Sequence, residues 1–254
     1  MPIGPITERP LNYAHRGASH EAPANTLAAF NLAAELGADG IELDVHLSKD
    51  GEAVVIHDFR LDATTDGRGQ VRDHSLAQLR DLDAGSWFDA AFAGQRIPTL
   101  QEVVDVVGHR LLMNIELKTK GLRAEGLVAE VVRIVEDNNL SDRVVISSFN
   151  PIALRRVRRA NPNLSLGLLY SSDQTVILRK AWPRHLVQVE ALHPHESLVT
   201  RQYVRWAREK GYRLHVWTAD DPVVMQSLIQ HRVDIIITNR PDLLGELLCK
   251  ELGG

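Results

Sequence analysis

Short runs of β-branched and aliphatic residues alternate with longer segments whose apolar positions recur every three or four residues, the signature of strand and helix units around a parallel sheet. Eight runs read as strands: "LNYAH", "GIELDVH", "LLMNIEL", "VVISSF", "LSLGLLY", "LVQVEAL", "RLHVWT" and "DIIIT". Between the first two, "NTLAAFNLAAELG" sets Leu27, Phe30 and Ala34 on one stripe, with Asn25 or Thr26 able to cap the helix start and Gly37 to close it. "TRQYVRWAREKG" and "PVVMQSLIQ" repeat the order of helix then strand, and "PDLLGELLCKEL" supplies a last helix after the eighth strand. Eight strands in such alternation predict a closed (β/α)8 TIM barrel rather than an open doubly wound sheet, which more often has five or six.

One stretch breaks the alternation. After "AVVIHD", residues from about 58 to 98 carry "TTDGRGQ", a short helical pattern "SLAQLRDL" and "DAGSWFDAAFAGQRIPTL". An insertion of this size is usually functional, because structureless loops are uncommon in compact domains. It reads as a lobe over one barrel mouth after the second strand. The alternative is a packing embellishment with Trp87, Phe88 and Phe92 as its small core.

Composition narrows the class without changing the picture. With 254 residues, 44% hydrophobic and 24% charged, the chain lies near the averages for globular proteins, which argues against a disordered or fibrous reading. No polar or Pro/Gly-rich boundary divides it, so a single domain over residues 1–254 is expected. A formal charge of −4 offers no general attraction to nucleic acid or anionic lipid. Cys249 is the only cysteine, so no intrachain disulfide can form. The N-terminal "MPIGPITERPLNY" lacks a basic n-region and an apolar h-region, and no run approaches the length of a membrane span; the expected location is cytoplasmic.

The chemistry lies in polar residues at the ends of apolar strands. In a barrel of this type such positions collect at the C-terminal rim. Glu42 and Asp44 are two apart and share a strand face; Asn114, Glu116 and Lys118 do the same in "LLMNIELK". Three carboxylates in one barrel mouth repel unless they are protonated or share a cation. Oxygen donors suit magnesium, calcium or manganese, and the lack of a cysteine cluster argues against structural zinc. The competing reading is a buried ion-pair network of the acids with Arg16 and Lys118. The first strand delivers His15 and Arg16 to the same rim, and "VVIHD" delivers His57 and Asp58 nearby. Two imidazoles allow one proton to be taken and another given, while Arg16 and Lys118 offer fixed charge to an anion. These parts describe metal-assisted phosphoryl transfer.

"HRG" at His15, "ELD" at Glu42, "HD" at His57, "ELK" at Glu116 and "HVWTAD" around Trp217 closely resemble the glycerophosphodiester phosphodiesterases, as do "DAGSWF" and "IPTLQEV" in and after the insertion. The resemblance covers nearly the whole chain and implies a divalent-metal-dependent barrel enzyme, with magnesium, calcium or manganese. It would hydrolyse small glycerophosphodiesters, such as deacylated phospholipids, to sn-glycerol 3-phosphate and an alcohol. By similarity, His15 and His57 would be the acid/base pair and Glu42, Asp44 and Glu116 the metal ligands. Arg16 and Lys118 would hold the phosphate, with Phe149 and Trp217 around the glycerol. Two departures stand out: Ala24 in "APANT", where the family usually has Glu, and Asn239 in "TNRPD", where an aspartate is common. Neither is a proposed ligand or proton carrier, so altered support of the site is expected rather than lost activity.

Other features weigh less. Arg155, Arg156, Arg158 and Arg159 crowd one helix and read as a solvated outer face. His193 and His195, after the sixth strand, read as loop residues within possible reach of substrate. A barrel phospholipase acting on intact lipid would need a membrane-docking segment that the chain does not display. A binding protein on a degenerate barrel conflicts with both histidines and all three acids being present together. The sequence names neither the head group nor the oligomeric state.

Overall fold

The computed structural model describes residues 9–119, 125–173 and 181–252. Eight parallel strands form a closed ring: β1 (Leu11–His15), β2 (Gly40–Leu47), β4 (Leu112–Leu117), β5 (Val144–Ser148), β6 (Ser165–Tyr170), β7 (Ala191–Pro194), β8 (Arg213–Val216) and β9 (Ile235–Thr238). β1 pairs with both β2 and β9 and so closes the (β/α)8 barrel. A short strand, β3 (Ala53–Val55), runs antiparallel to the end of β2.

Outward-facing residues such as Ile41, Leu43, Ile115 and Ile146 pack against helix residues such as Phe30, Val104, Leu154 and Leu228 in one continuous buried layer. Burial on this scale, at roughly 25 cal/mol per Å² of apolar surface, drives the fold. The helix Leu27–Glu35 begins as its sequence suggests: the Thr26 hydroxyl accepts from the Ala29 N–H, and Gly37 follows the helix end at φ +75°.

Inside the ring, Leu11, Tyr13, Ile235 and Ile237 make a small apolar cluster. Beside it lies a polar patch: His193 and His215 are fully buried with ring centroids 4.4 Å apart, and neither ring nitrogen pair has a hydrogen-bond partner among the described residues. Gly167 makes room for this pair, since a Cβ there would lie 2.2 Å from His193 Nε2. His193 is therefore part of a strand and of the barrel interior, which corrects its reading as a loop residue.

The sixth predicted strand is also displaced. "LVQVEAL" covers residues 186–192, but pairing with β6 begins only where Ala191 meets Gly167, and β7 continues to Pro194. Val187 and Val189 are buried without forming a strand, because apolar alternation records burial, which a packed connection satisfies as well.

The insertion has its own core of Val54, Ile56, Leu61, Val71, Leu79, Ala84 and Ile97. Trp87, Phe88 and Phe92 do not fill it: Trp87 is 44% exposed, and the three rings touch edge to face at the lobe surface. Aliphatic side chains from β3 and the short helix Leu76–Arg80 take that place, since β3 anchors the lobe to the barrel wall.

Candidate active site

His15 ends β1, and the next two residues turn the chain across the rim. Arg16 has φ +58° and Gly17 φ +84°. A Cβ at Gly17 would sit 2.6 Å from Ala29, so only glycine fits. Arg16 is held in its unfavourable conformation by two backbone bonds, from its N–H to the Glu42 carbonyl (2.8 Å) and from the Asn25 N–H to its own carbonyl (2.9 Å). The sharp bend points a guanidinium back into the barrel mouth directly beside the imidazole.

The acids gather as their spacing predicts. Asp44 pairs in register with Glu116, and Glu42 with His15, across β4, β2 and β1. One oxygen from each of Glu42, Asp44 and Glu116 lies within 4.8 Å of the others, and all three residues are buried. The cations are interleaved with them: Lys118 Nζ is 3.2 Å from Asp44 Oδ1 and 2.9 Å from Glu116 Oε1, and Arg16 Nε is 3.2 Å from Asp44 Oδ2. Asn25 donates to Asp44 Oδ2 at 2.8 Å.

This crowding sorts the carboxyls. Burial opposes ionisation of Asp44, but Lys118 and Arg16 outweigh it and hold its carboxyl well below the usual range. Burial, together with the charge of Asp44 and Glu116, pushes Glu42 far up. Burial also raises Glu116 to about 7, although Lys118 opposes the rise. Two cations are thus too few for three buried carboxylates. The donor set of carboxylate oxygens fits a hard divalent cation, which would relieve that excess.

His15 Nδ1 is 2.7 Å from Asn239 Oδ1, and Asn239 Nδ2 donates to Asp220 Oδ2 at 2.6 Å. The second bond fixes which end of the amide faces the histidine, so an oxygen meets Nδ1 and the proton resides there. His15 Nε2 is left as the acceptor, 3.8 Å from Glu42 Oε2. Burial, with the adjacent Arg16, lowers the His15 pKa to about 4. His57 leaves β3 for the rim with its Nδ1 2.8 Å from Asp58 Oδ1, and His46 Nε2 faces its backbone carbonyl at 3.0 Å. Burial lowers its pKa as well, while the charge of Asp44 opposes the fall.

One cavity of about 520 Å³ brings His15, Arg16, Glu42, His57, Glu116, Lys118, Phe149 and Trp217 together. Asp44 lies beneath that lining, under the two cations. Phe149 and Trp217 meet edge to face at 5.6 Å, and Trp217 Nε1 donates to the His193 carbonyl at 2.8 Å, which fixes the indole. Sequence reasoning missed several participants. Asn25 braces Asp44; Asp220 orients Asn239; Asn114 lines the cavity with both amide atoms buried and without a partner among the described residues. His195, which the sequence set within reach of substrate, also lines it and meets Trp217 edge to face at 5.2 Å. Asn114 carried a signal, a polar residue on the same strand face as Glu116, whereas Asp220 and Asn25 lie in loops whose reach no spacing rule conveys.

Residues 15–243 match the model of the glycerophosphoryl diester phosphodiesterase family. A glycerophosphodiester phosphodiesterase of Caldanaerobacter subterraneus subsp. tengcongensis is 43% identical over 242 residues, which span 94% of this chain and 98% of that protein. One from Bacillus subtilis is 34% identical over 250 residues, spanning 93% and 85%. Among solved structures, an Oleispira antarctica phosphodiesterase in complex with the product sn-glycerol-3-phosphate superposes with a TM-score of 0.85 at 31% identity, covering 94% of this chain and 96% of that one. The chain belongs to the glycerophosphoryl diester phosphodiesterase family, a family of hydrolases.

Proposed function

We propose that the protein hydrolyses glycerophosphodiesters to sn-glycerol 3-phosphate and an alcohol, with a divalent cation held by Glu42, Asp44 and Glu116 and with His15 and His57 as the acid/base pair. The observation that carries the reading is the lining of one cavity by both histidines, two of the three acids and both cations, with the third acid directly beneath. The product bound in the Oleispira antarctica relative supports the substrate class. When bound, the cation would polarise phosphoryl oxygens and offset developing negative charge.

The remaining work falls to the chain's own groups. Arg16 and Lys118 orient the diester by its non-bridging oxygens, and their charge favours a transition state more anionic than the substrate. His15 is neutral at working pH with its Nδ1 proton committed to Asn239, so its free Nε2 accepts a proton from the attacking water, whose oxygen becomes part of the product phosphate. Asp58 beside His57 Nδ1 opposes the fall that burial causes in the His57 pKa, and His57 is assigned the proton delivered to the departing alcohol oxygen. As one P–O bond forms, the bond to the head-group oxygen breaks, and the two histidines exchange protonation states. Phe149 and Trp217 form an apolar wall against the glycerol carbons. Among the described residues no helix is long and apolar enough to cross a membrane.

Turnover of sn-glycero-3-phosphocholine with magnesium, calcium or manganese, run beside phosphatidylinositol, tests the proposal. Release of glycerol 3-phosphate from the first substrate alone is expected. Cleavage of the intact lipid with no action on the diester would refute it.

A further inference from the structure

Arg16 lines more than one cavity. Besides the catalytic cavity, it borders a neighbouring space of about 480 Å³ together with Ser19, His20, Ala24, Asp220, Asn239 and Arg240. The charges in this second cavity are unbalanced. Asp220 spends its carboxylate locally: Oδ1 accepts from Thr238 Oγ1 (3.0 Å) and the Asn239 N–H (2.8 Å), and Oδ2 from Asn239 Nδ2 (2.6 Å). Arg240 is only half-exposed, yet among the described residues its guanidinium has no ion pair and no hydrogen bond, and its Nε is buried without a partner. A partly buried guanidinium left in that state costs free energy that a bound anion recovers. Its planar fork matches phosphate or carboxylate oxygens. Ala24, also in the lining, offers only a methyl group, so Asp220 is the one carboxylate among the lining residues.

The placement relative to the reacting centre identifies the anion. The aromatic wall of Phe149 and Trp217 belongs to the catalytic cavity and not to the second one. If the glycerol lies against that wall and Arg16 holds the diester phosphate, the head group leaves the phosphorus on the Arg240 side. We propose that the second cavity receives an anionic group carried by the leaving alcohol, so that the enzyme favours glycerophosphodiesters whose head group bears its own phosphate or carboxylate. This inference rests on the phosphodiesterase reading above.

A matched pair isolates the effect: glycerophosphoglycerol, and the same diester with a terminal phosphate on the second glycerol. Wild type is expected to favour the phosphorylated substrate by about 10- to 100-fold in kcat/KM, the range for one charge-assisted pair, with the change carried by KM. Arg240→Gln should bring the ratio near one and leave glycerophosphoglycerol turnover as it was. Arg240→Glu should push the ratio below one. A ratio unchanged in Arg240→Gln would overturn the inference. So would an effector pattern, in which millimolar inorganic phosphate alters turnover of the uncharged-head substrate in wild type but not in Arg240→Gln, while the two substrates are turned over alike. If wild type cleaves neither substrate with any of the three metals, the phosphodiesterase reading falls and takes this one with it. Thermal unfolding of both variants confirms that the helix after Arg240 is intact.

Discussion

The paired imidazoles inside the barrel make acid stability a sharp test of the core. His193 and His215 are fully buried and have no hydrogen-bond partner among the described residues, and burial lowers His193 to about 3 and His215 well below its ordinary value. His193 is neutral in the folded protein at pH 5, whereas in the unfolded chain it titrates near 6.5. Both folded values lie below the unfolded ones, so the unfolded state binds more protons as pH falls. Stability is therefore full above about pH 6.5 and is lost on the way down. For one such group the loss between pH 7 and pH 5 is about 2 kcal/mol, approaching roughly 1.4 kcal/mol per pH unit below pH 6. Replacing one ring by a hydrocarbon removes one share. His193→Leu should retain about 2 kcal/mol more of its pH 7 stability at pH 5 than wild type does, whatever its stability at pH 7. Urea unfolding of both proteins at the two pH values, in chelator, gives the difference directly. Other titrating groups, including Glu116 and His15, are common to both proteins and cancel in that comparison. Parallel pH dependence would refute the reasoning and mean that His193 takes up protons in the folded state.

The site makes three further predictions. His15→Ala and His57→Ala should each lower turnover by about 10²- to 10⁴-fold at unchanged thermal stability, and near-normal activity in both would remove the acid/base assignment. Asn239→Leu removes the acceptor for His15 Nδ1, so kcat should fall about tenfold or more with little change in KM; an unaltered kcat would show that the amide does not orient the ring. Ala24→Glu places a carboxylate beside Arg16, and little change in metal affinity or turnover is expected; a large gain in either would show that the natural site is impaired by the methyl group.

How far the sequence could be read depended on range. The ring of eight strands followed from periodicity because each strand must bury its outer face against a helix. The faces of Glu42, Asp44 and Glu116 followed from the two-residue strand period, and β1, β2 and β4 lie side by side as the shared acid site requires. The third strand, antiparallel and three residues long, is too short to show a period. The lobe's aromatic residues were misplaced because large rings suggest a core, yet a small lobe packs more completely with Leu61, Val71 and Ile97. The polar barrel interior around His193 and His215 was hidden for a different reason: inward and outward positions on a strand both alternate, and only closure of the ring shows which side holds the imidazoles.

On the reading proposed above, the ion-pair network and a metal site, which compete when read from the sequence, would be two states of one charge balance. Glu42, Asp44 and Glu116 contribute three negative charges when ionised, and Arg16 and Lys118 two positive ones, an excess of one negative charge; without a metal, burial favours the protonated forms of Glu42 and Glu116. A divalent cation and a diester monoanion together add one net positive charge, which brings the fully ionised site to neutrality. Binding of the cation must therefore displace protons that the free site holds up to about pH 7 or beyond. Below the raised pKa, affinity should fall about tenfold per pH unit for each proton displaced, so magnesium or manganese should bind about tenfold more weakly at pH 6 than at pH 8 through Glu116 alone, and more weakly still if Glu42 also gives up a proton. Calorimetry in two buffers of different ionisation enthalpy counts the protons released, and Glu116→Gln should release fewer. Affinity that does not vary over this range, with no proton release, would mean that all three carboxyls are already ionised and that Arg16 and Lys118 alone balance them.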